Sequence, residues 1–353
     1  MQDLISMRDF TRQEAEAVLF EAEKMEALLK TPEKCSRILP NRLVANMFFE
    51  PSTRTSQSFQ AASSRLGAKT LSFHPQSSSA AKGETFSDTI RMVDGYSDAI
   101  VLRHAHEGAA RLAADISEHP VINAGDGGNQ HPTQTLVDLY TIKKLKGKIT
   151  GLKIALFGDL RHARTMHSLL FGLSMFGAEM MLISPPSLSM GAPSIREAER
   201  KFNAKITAVS IKDLPQADVL YVCRVQKERF EDPREAIAAE GAFRVSAKLL
   251  KSAKKDLAIL HPLPKVSEID PIVDDDPRAK YFGQAKNGVP VRMAVLTRCI
   301  IGKGAKKRGQ GEVVRFSCRN ASCILRLQPA PQGGILGADG VARCRYCEQP
   351  ARG

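Results

Sequence analysis

The sequence predicts an α/β protein with two doubly wound parallel-sheet domains and a small C-terminal module that carries four cysteines. Short apolar segments alternate with helix-like patterns over roughly the first 300 residues, as in chains that build parallel sheets covered by helices. A Lys-rich stretch ending at Gly147 divides this alternation into two halves. A length of 353 residues is sufficient for two medium-sized domains and one small domain.

The first half opens with helical apolar spacing over 12–29, for which Thr11 is a candidate N-cap. Four short apolar runs are typical of buried strands: 43–49, 69–73, 99–103 and 121–124. Helices are expected between these strands, and one of them continues through 59–66 after a start beyond Pro51. A long helix over 133–146 then leads to the domain boundary.

The second half repeats the alternation. An apolar run at 152–157 is followed by a turn at Gly158-Asp159 and a helix over 163–176. Three further strands are predicted: 180–183, 219–223 and 257–260. Because no G-x-G-x-x-G pattern follows the first of these strands, a dinucleotide-binding role is disfavoured.

These patterns divide the chain into four segments. The first domain covers 1–147 and is completed by a C-terminal helix at about 288–301. The second domain covers 148–287. A basic, Gly-rich linker at 302–314 precedes the four-cysteine module at 315–353.

The formal net charge of +13 indicates anionic partners. From Ile301 onward there are ten Lys or Arg and three Asp or Glu, so this tail alone carries +7. A nucleic acid or an acidic protein surface would suit the tail, whereas anionic small substrates suffice for the main body. The sequence has neither a membrane-length apolar run nor a signal-peptide pattern at its start, and its seven cysteines do not form a disulfide framework. We therefore expect a cytoplasmic protein with no membrane partner.

Polar and cationic residues follow the predicted strands of the first domain. The strand at 43–49 runs into Ser52-Thr53-Arg54-Thr55 and a helix, whose first N–H groups would form a phosphate cradle with these side chains. Arg103 ends another strand, and His131 and Gln134 begin the long helix. The carboxyl ends of parallel strands lie at one sheet edge, so these residues can converge on one ligand. Taken alone, these motifs are more often an N-cap with a surface arginine, or a loop histidine, than a ligand site.

Six motifs occur in order along about residues 1–300: F-F-E-P-S-T-R-T at 48–55, K-G-E-T at 82–85, H-P-T-Q at 131–134, R-T-M-H-S at 164–168, R-V-Q-K-E-R at 224–229 and H-P-L-P at 261–264. Together they resemble the catalytic chain of aspartate carbamoyltransferase, in the aspartate/ornithine carbamoyltransferase superfamily. The cysteine-containing tail resembles the zinc domain of that enzyme's regulatory chain, whose nucleotide-binding domain has no counterpart in this sequence. The resemblance thus implies a fusion of the catalytic chain to the zinc domain, with carbamoyl-phosphate and aspartate lobes upstream.

The resemblance also implies the reaction. Carbamoyl phosphate and L-aspartate would give N-carbamoyl-L-aspartate and phosphate, the committed step of de novo pyrimidine biosynthesis. Both substrates are anions, which accounts for the Arg and Lys residues of the motifs. Amine attack at the carbonyl carbon builds a tetrahedral oxyanion, so positioning and charge stabilisation carry catalysis and no organic cofactor is implied.

The family pattern assigns a role to each matching residue. Five would hold the phosphate: Ser52, Thr53, Arg54, Thr55 and Arg103. Three would face the carbonyl oxygen: Thr55, Arg103 and His131. Three would receive the carbamoyl NH2 group, the last two through backbone carbonyls: Gln134, Pro262 and Leu263. Three would hold the aspartate carboxylates, the first at the α position and the others at the β position: Arg164, Arg224 and Gln226.

Lys82 completes the implied catalytic set and lies in a polar loop at 76–83, which we expect to be mobile. In the family this loop enters the site of the neighbouring subunit with a serine that aligns with Ser78. The resemblance therefore implies a homotrimer with active sites shared between chains. Three further residues resemble the ionic pairs that close the family's two domains: Glu50, Arg164 and Arg229.

Two residues depart from the family pattern. Ser56 and Gln60 replace an arginine and an acidic residue that usually form an i, i+4 ion pair. Because both charges are absent together, we interpret the change as the loss of a supporting pair. It leaves open a catalytically weak scaffold that assembles with another pyrimidine-pathway enzyme. An ornithine-type carbamoyltransferase is the other alternative, but that family typically has Cys where this chain has Pro262.

The tail contains C-x4-C and C-x2-C pairs with the spacing of a four-thiolate zinc site: Cys318, Cys323, Cys344 and Cys347. A segment as short as 315–349 cannot build a sufficient core without a metal, so we expect one structural Zn²⁺ per chain, with disulfides as the alternative. We expect the module to bridge subunits into a larger assembly or to recruit another protein. Nucleic-acid binding is disfavoured because Phe316 and Tyr346 are its only aromatic residues.

Overall fold

The computed structural model describes residues 3–73, 75, 83–230, 232, 234, 235, 237, 243–302, 312–337 and 339–350. The chain divides into two compact units, Met1–Leu136 with Gly288–Gly353, and Val137–Asn287. Each unit contains a parallel sheet with helices, so the predicted α/β class is confirmed. The predicted linker at 302–314 falls mostly outside the described residues. None of the helices in the described ranges combines the length and apolarity that a bilayer crossing requires.

The first unit contains a four-stranded parallel sheet in the order β2-β1-β3-β4. The strands are β1 (Leu43–Phe48), β2 (Lys69–Phe73), β3 (Ala99–His104) and β4 (Val121–Asp126). The helices up to the unit boundary are α1 (Arg12–Leu28), α2 (Pro32–Cys35), α3 (Thr53–Arg65), α4 (Phe86–Asp94), α5 (Ala109–Ile116) and α6 (Pro132–Lys146), the last of which continues into the second unit. The strand order reverses between β1 and β3, and ligands of such sheets bind beyond the carboxyl ends of the strands at this reversal.

Local sequence signals account for several of these elements. Thr11 caps α1 as predicted, because its hydroxyl accepts from Glu14 N at 3.2 Å and the Glu14 carboxylate accepts from Thr11 N at 2.9 Å. All six residues of β4 are buried, as expected for a strand covered on both faces. The polar residues that follow the strands are thus attached to a buried apolar sheet.

The second unit contains a five-stranded parallel sheet in the order β7-β6-β5-β8-β9. The strands are β5 (Lys153–Gly158), β6 (Glu179–Ile183), β7 (Lys205–Ala208), β8 (Val219–Cys223) and β9 (Ala258–Leu260). Its further helices are α7 (Arg164–Met175), α8 (Ala192–Phe202) and α9 (Ala247–Leu250). Strand β7 was not predicted from the sequence, because this four-residue edge strand is largely exposed and has no apolar run. Here the order reverses between β5 and β8, which places the switch point after these two strands.

The last long helix, α10, covers Tyr281–Ile300 and so begins before the predicted start at about 288. Pro290, which lacks an N–H and usually interrupts a helix, lies inside it. Buried hydrogen bonds fix the first part of α10 against α6: Gln284 Nε2 donates to Asp138 at 2.7 Å, and Asn287 Nδ2 donates to Thr141 at 2.9 Å. The first two turns of α10 are thus attached to α6 by side-chain hydrogen bonds.

The four-cysteine module belongs to the first unit. Three short strands form an antiparallel sheet: β10 (Val313–Val314), β11 (Gly334–Leu336) and β12 (Ala342–Cys344). The buried residues Ile324 and Tyr346 share one apolar core with Ala109 and Ala110 of α5. The module is therefore packed onto α5 of its own chain.

Candidate active site and metal centre

The ends of β1 and β3 lie side by side in the first unit. Phe48 pairs with Arg103 in the parallel register, and Phe49 N donates to Arg103 O at 2.9 Å. The chain then enters α3 with Ser52 at the N-cap position, where its side chain makes no capping hydrogen bond within the described chain. The hydroxyl of Ser52 and the first N–H groups of α3 thus lie where an anion can be bound.

The predicted phosphate cradle lies on the first turn of α3. Thr53 and Arg54 are exposed, whereas Thr55 is buried against the unit. Arg103 is half-buried, and its Nε atom lies 3.4 Å from Glu50 Oε2. Glu50, which the sequence analysis assigned to domain closure, therefore contacts a predicted phosphate ligand within this unit.

His131 precedes α6 and is held by the loop that follows β4. The buried carboxylate of Asp126 accepts from Gln130 N at 3.1 Å and from Gly108 N at 2.7 Å. Burial raises the pKa of Asp126 to about 6, although hydrogen bonds from Asn123, Gly108 and Asn129 oppose the shift. His131 is buried, and its carbonyl accepts from Gln134 N at 3.0 Å. The loop thus fixes the backbone of both predicted carbamoyl-group ligands.

In the second unit, predicted site residues follow β5 and β8. Arg164 is the first residue of α7 and is buried, while Arg224 and Gln226 follow β8. Asp159, directly after β5, accepts from Gln226 N at 3.0 Å and from His162 N at 2.9 Å. Burial tends to raise the pKa of Asp159, but hydrogen bonds with His162 and Gln226 lower it overall. An ionised Asp159 therefore joins the loops after the two strands.

The Arg224 guanidinium is held by a carboxylate that the sequence analysis missed. Its NH1 and NH2 atoms donate to Glu228 at 3.0 and 2.6 Å, a bidentate pair. Hydrogen bonding to Glu228 raises the pKa of Arg224. Gln226 Nε2 donates to Arg224 O at 3.0 Å, so the two predicted β-carboxylate ligands are also connected. An acidic residue four positions after an arginine is the sequence signal from which this ion pair could have been predicted.

The loop after β9 contains the predicted backbone ligands. His261 is buried, and its Nδ1 atom accepts from Leu263 N at 2.8 Å. Leu263 has a φ of 55°, in the left-handed region that non-glycine residues rarely adopt. Pro262 and Leu263 are half-buried, and their carbonyl orientations are set by this turn.

The predicted residues thus fall into two groups, one at the carboxyl edge of each sheet. The first unit holds Glu50, Ser52, Thr53, Arg54, Thr55, Arg103, His131 and Gln134. The second unit holds Arg164, Arg224, Gln226, Arg229, Pro262 and Leu263. Ser78 and Lys82 lie outside the described residues. Each group is a set of cations and hydrogen-bonding groups suited to an anion.

The four tail cysteines are brought together, with all Sγ atoms within 4.8 Å of one another. The Sγ atoms of Cys318 and Cys347 are 3.6 Å apart, and those of Cys323 and Cys344 are 4.0 Å apart. These distances exclude disulfides. They bracket the separation of about 3.8 Å that follows from tetrahedral Zn–S bonds of about 2.3 Å. The donor set therefore fits a tetrahedral, thiophilic cation.

Close contact among the four thiols shifts their pKa values in opposite directions. Hydrogen bonds from Cys323 and Cys347 lower the pKa of Cys344 to about 2. Hydrogen bonding with Cys318 and the other thiols, together with burial, raises the pKa of Cys347. Four adjacent thiolates repel one another, so binding through all four requires a positive charge among them.

Two family models match the chain. The carbamoyl-P binding domain of aspartate/ornithine carbamoyltransferases matches residues 2–144, and the Asp/Orn binding domain matches residues 150–299. The catalytic subunit of aspartate carbamoyltransferase from Methanopyrus kandleri is 50% identical over 307 residues, which are 86% of this chain and 98% of the relative. That from Thermococcus gammatolerans is 51% identical over 298 residues, which are 84% of this chain and 96% of the relative.

Solved structures show the same similarity. The catalytic subunit of Methanocaldococcus jannaschii aspartate transcarbamoylase has a TM-score of 0.78 at 49% identity, over 85% of this chain and 98% of that one. Trypanosoma cruzi aspartate transcarbamoylase in complex with carbamoyl phosphate and aspartate has a TM-score of 0.80 at 36% identity, over 84% and 96%. Both family models end before the four-cysteine module.

Proposed function

The chain belongs to the aspartate/ornithine carbamoyltransferase family, and from this premise we propose that it transfers the carbamoyl group of carbamoyl phosphate to L-aspartate. The products are N-carbamoyl-L-aspartate and phosphate, in the committed step of pyrimidine biosynthesis. The observation that carries the choice of amine is the pair of arginines, Arg164 and Arg224, at the carboxyl edge of the second sheet. Two guanidinium groups match the two carboxylates of aspartate.

The chemistry needs little beyond charge and position. The neutral amine of aspartate attacks the carbonyl carbon, a C–N bond forms, and the carbonyl oxygen becomes an oxyanion. The C–O bond to phosphate then breaks, and the amine loses its proton to the departing phosphate. Arg103 and His131 stabilise the oxyanion, while Arg54 and the N–H groups of α3 bind the phosphate. Gln134 and the carbonyls of Pro262 and Leu263 orient the carbamoyl NH2 group.

We extend this proposal to the assembly. In the family, the loop that matches Ser78 and Lys82 enters the site of a neighbouring chain, so we propose a homotrimer with shared active sites. Glu50, Arg164 and Arg229 form the ionic contacts of the closed, substrate-bound state. Glu50 also lies 3.4 Å from Arg103, a contact for which the phosphate of the substrate would compete. We keep the domain division predicted from the sequence as part of the proposal. Its four segments are 1–147 with 288–301, 148–287, 302–314 and 315–353.

We also propose that the metal is Zn²⁺, one per chain and structural. Four cysteines saturate a tetrahedral zinc site and leave no position for water. Reduced thiolates favour a reducing compartment, which supports a cytoplasmic location. The module serves assembly, either between trimers or with another enzyme of the pathway.

Turnover with two amines tests the function. Purified protein with carbamoyl phosphate should convert L-aspartate and leave L-ornithine unchanged, and Arg224→Ala should abolish most of this activity. Activity with ornithine alone would assign the chain to the ornithine-type enzymes. No activity with either amine, in protein of full metal content, would favour the scaffold.

Mixing two inactive variants tests the shared site. Lys82→Ala and Arg54→Ala proteins should each be inactive alone. If Lys82 acts in the neighbouring chain, dissociation and reassociation of the mixture should restore activity, because some sites receive both native residues. A mixture that stays inactive, or a monomer that is active, would contradict the shared site.

A further inference from the structure

Glu107, in the loop between β3 and α5, forms a backbone bridge with the four-cysteine module. Its N–H donates to Ser322 O at 2.8 Å, and its carbonyl accepts from Ile324 N at 2.9 Å. These bonds flank Cys323, which pairs with Glu107 as a parallel β-bridge. Asn320 Nδ2 also donates to Glu107 Oε2 at 2.7 Å. The backbone and the side chain of Glu107, which lies outside the module, thus hold the segment that carries Cys318 and Cys323.

The other carboxylate oxygen of Glu107 contacts the loop that carries His131. Glu107 Oε1 accepts from Gly128 N at 3.2 Å. Gly127 has a φ of +49°, and a Cβ atom added there would lie 2.6 Å from Glu107 Cγ, so the loop backbone lies directly on the Glu107 side chain. The Glu107 side chain is buried. One carboxylate therefore bridges the module and the loop through its two oxygens.

A second connection runs through the next residue. Gly108 N donates to Asp126 Oδ2 at 2.7 Å, and Asp126 in turn accepts from Asn129 Nδ2 and Gln130 N, each at 3.1 Å. The segment 126–131 is therefore attached at two points to the short loop that the module holds. A shift of this loop relative to β4 changes both attachments together.

The far side of the module has its own anchor. Glu348 accepts from Arg8 NH1 at 2.6 Å and from Arg111 NH2 at 3.3 Å, and the guanidinium of Arg111 is buried. Arg345 NH2 also donates to Asp115 at 2.7 Å on α5. Contacts on both sides keep the module in one orientation, so that Asn320 faces Glu107.

We propose that Glu107 is a positioning residue through which the four-cysteine module fixes the loop carrying His131 in its own chain. The inference rests on the proposed function, because it assigns the module a part in orienting the group that polarises the carbamoyl carbonyl. A displacement of His131 by about 1 Å would lower catalysis by up to about a hundredfold. Docking in the same chain thereby couples the integrity of the module to turnover.

The full-length, metal-containing protein tests this link. Asn320→Ala removes the contact from the module side, whereas Glu107→Ala removes it from the body and leaves every module residue intact. Glu107→Gln keeps an acceptor for Gly128 N but turns a donor toward Asn320 Nδ2, so it is combined with Asn320→Asp, which accepts from that donor, as the conservative rescue. Asp115→Asn is the matched control, because it weakens a different docking contact that does not reach the His131 loop. Metal content is measured for each protein.

We expect Asn320→Ala and Glu107→Ala to speed amide exchange in the segment 126–131 by about tenfold or more, with metal retained. Both should lower kcat by about tenfold while the KM for L-aspartate changes less than about twofold, and Glu107→Gln combined with Asn320→Asp should recover most of the loss. Asp115→Asn should leave both readouts unchanged. Unchanged exchange in Glu107→Ala, or an equal effect of Asp115→Asn, would overturn the proposal.

The exchange readout needs no substrate, so the two proposals fail separately. A wild-type chain that turns over neither amine, but whose segment 126–131 still responds to Glu107→Ala, would overturn the proposed function and support the link. A chain that is fully active and whose variants keep both exchange and kcat would support the function and overturn the link.

Discussion

The His261 Nε2 atom lies 2.7 Å from Glu268 Oε1, and both side chains are buried. Since His261 Nδ1 accepts from Leu263 N, the ring proton is on Nε2 and is donated to Glu268. Glu268 thereby fixes the ring whose other nitrogen holds Leu263 in its left-handed conformation. The histidine of the H-P-L-P motif is thus a support for two backbone carbonyls, and Glu268 supports the histidine.

Removing Glu268 should destabilise the second unit. Glu268→Ala leaves the Nε2–H group without its acceptor, which costs about 1–3 kcal/mol of unfolding free energy. Glu268→Gln keeps an oxygen acceptor and should cost less than half of that. Urea unfolding measures the stability, and the KM for carbamoyl phosphate should rise only in Glu268→Ala. Equal effects of the two variants would contradict this role.

The stability contributed by Glu268 should depend on pH. Burial raises the pKa of Glu268, but hydrogen bonds from His261 and the backbone of Val266 outweigh it and hold the pKa below its ordinary value. A carboxyl with a lowered folded-state pKa stabilises the fold above its unfolded pKa of about 4.3. This contribution is lost as the pH falls through the folded-state pKa. The stability difference between wild type and Glu268→Gln should therefore be constant from pH 8 to about 5 and shrink below about pH 4.3.

Glu228 should support aspartate binding through Arg224. Glu228→Gln removes one charge-assisted hydrogen bond of the bidentate pair, about 1.5 kcal/mol, and should raise the KM for L-aspartate by about tenfold. The KM for carbamoyl phosphate should be unchanged. Glu16→Gln is a matched control, since Arg12 and Glu16 form an ion pair with the same i, i+4 spacing on α1. A lower KM for aspartate in Glu228→Gln would show that Glu228 competes with the substrate instead.

Ser56 and Gln60 replace the family's ion pair with a weak contact, since Gln60 Nε2 is 3.5 Å from Ser56 Oγ. Restoring the charges with Ser56→Arg and Gln60→Glu together should add about 0.3–0.5 kcal/mol of stability, whereas either change alone should not. We expect kcat/KM to change by less than about twofold, because α3 and its N-terminus are already formed. Thermal unfolding and steady-state kinetics of the four proteins measure both. A tenfold gain in kcat/KM for the double variant would instead indicate that the loss of the ion pair lowers the activity of the natural chain.

Candidate substrate ligands could be proposed from the sequence, because the motifs that carry them follow apolar strands or begin helices and resemble those of a known family. The residues that hold these ligands in place could not be predicted from the sequence. Glu107, Asp159 and Glu268 hold backbone or side-chain groups of the site, yet an isolated carboxylate in a loop has no periodicity that marks it. The approach of Gly127 to Glu107 joins two loops that are separated by α5 and β4, and such a contact follows from packing and not from local pattern. Short edge strands such as β7 are not predicted either, because exposed strands lack a run of apolar residues.

Metal removal should unfold the four-cysteine module and weaken the first unit with it. The cysteines share a buried core with α5, so loss of the module exposes apolar residues such as Ala109 and Ala110. Chelation should therefore release one metal ion per chain and lower the unfolding temperature, because structural zinc contributes about 10–16 kcal/mol of apparent folding free energy. Cys344→Ser should bind no metal, whereas Cys35→Ser, which alters a buried cysteine outside the cluster, should retain it. A chelated protein that unfolds at the same temperature as the metal-bound one would show that the module folds without a cation.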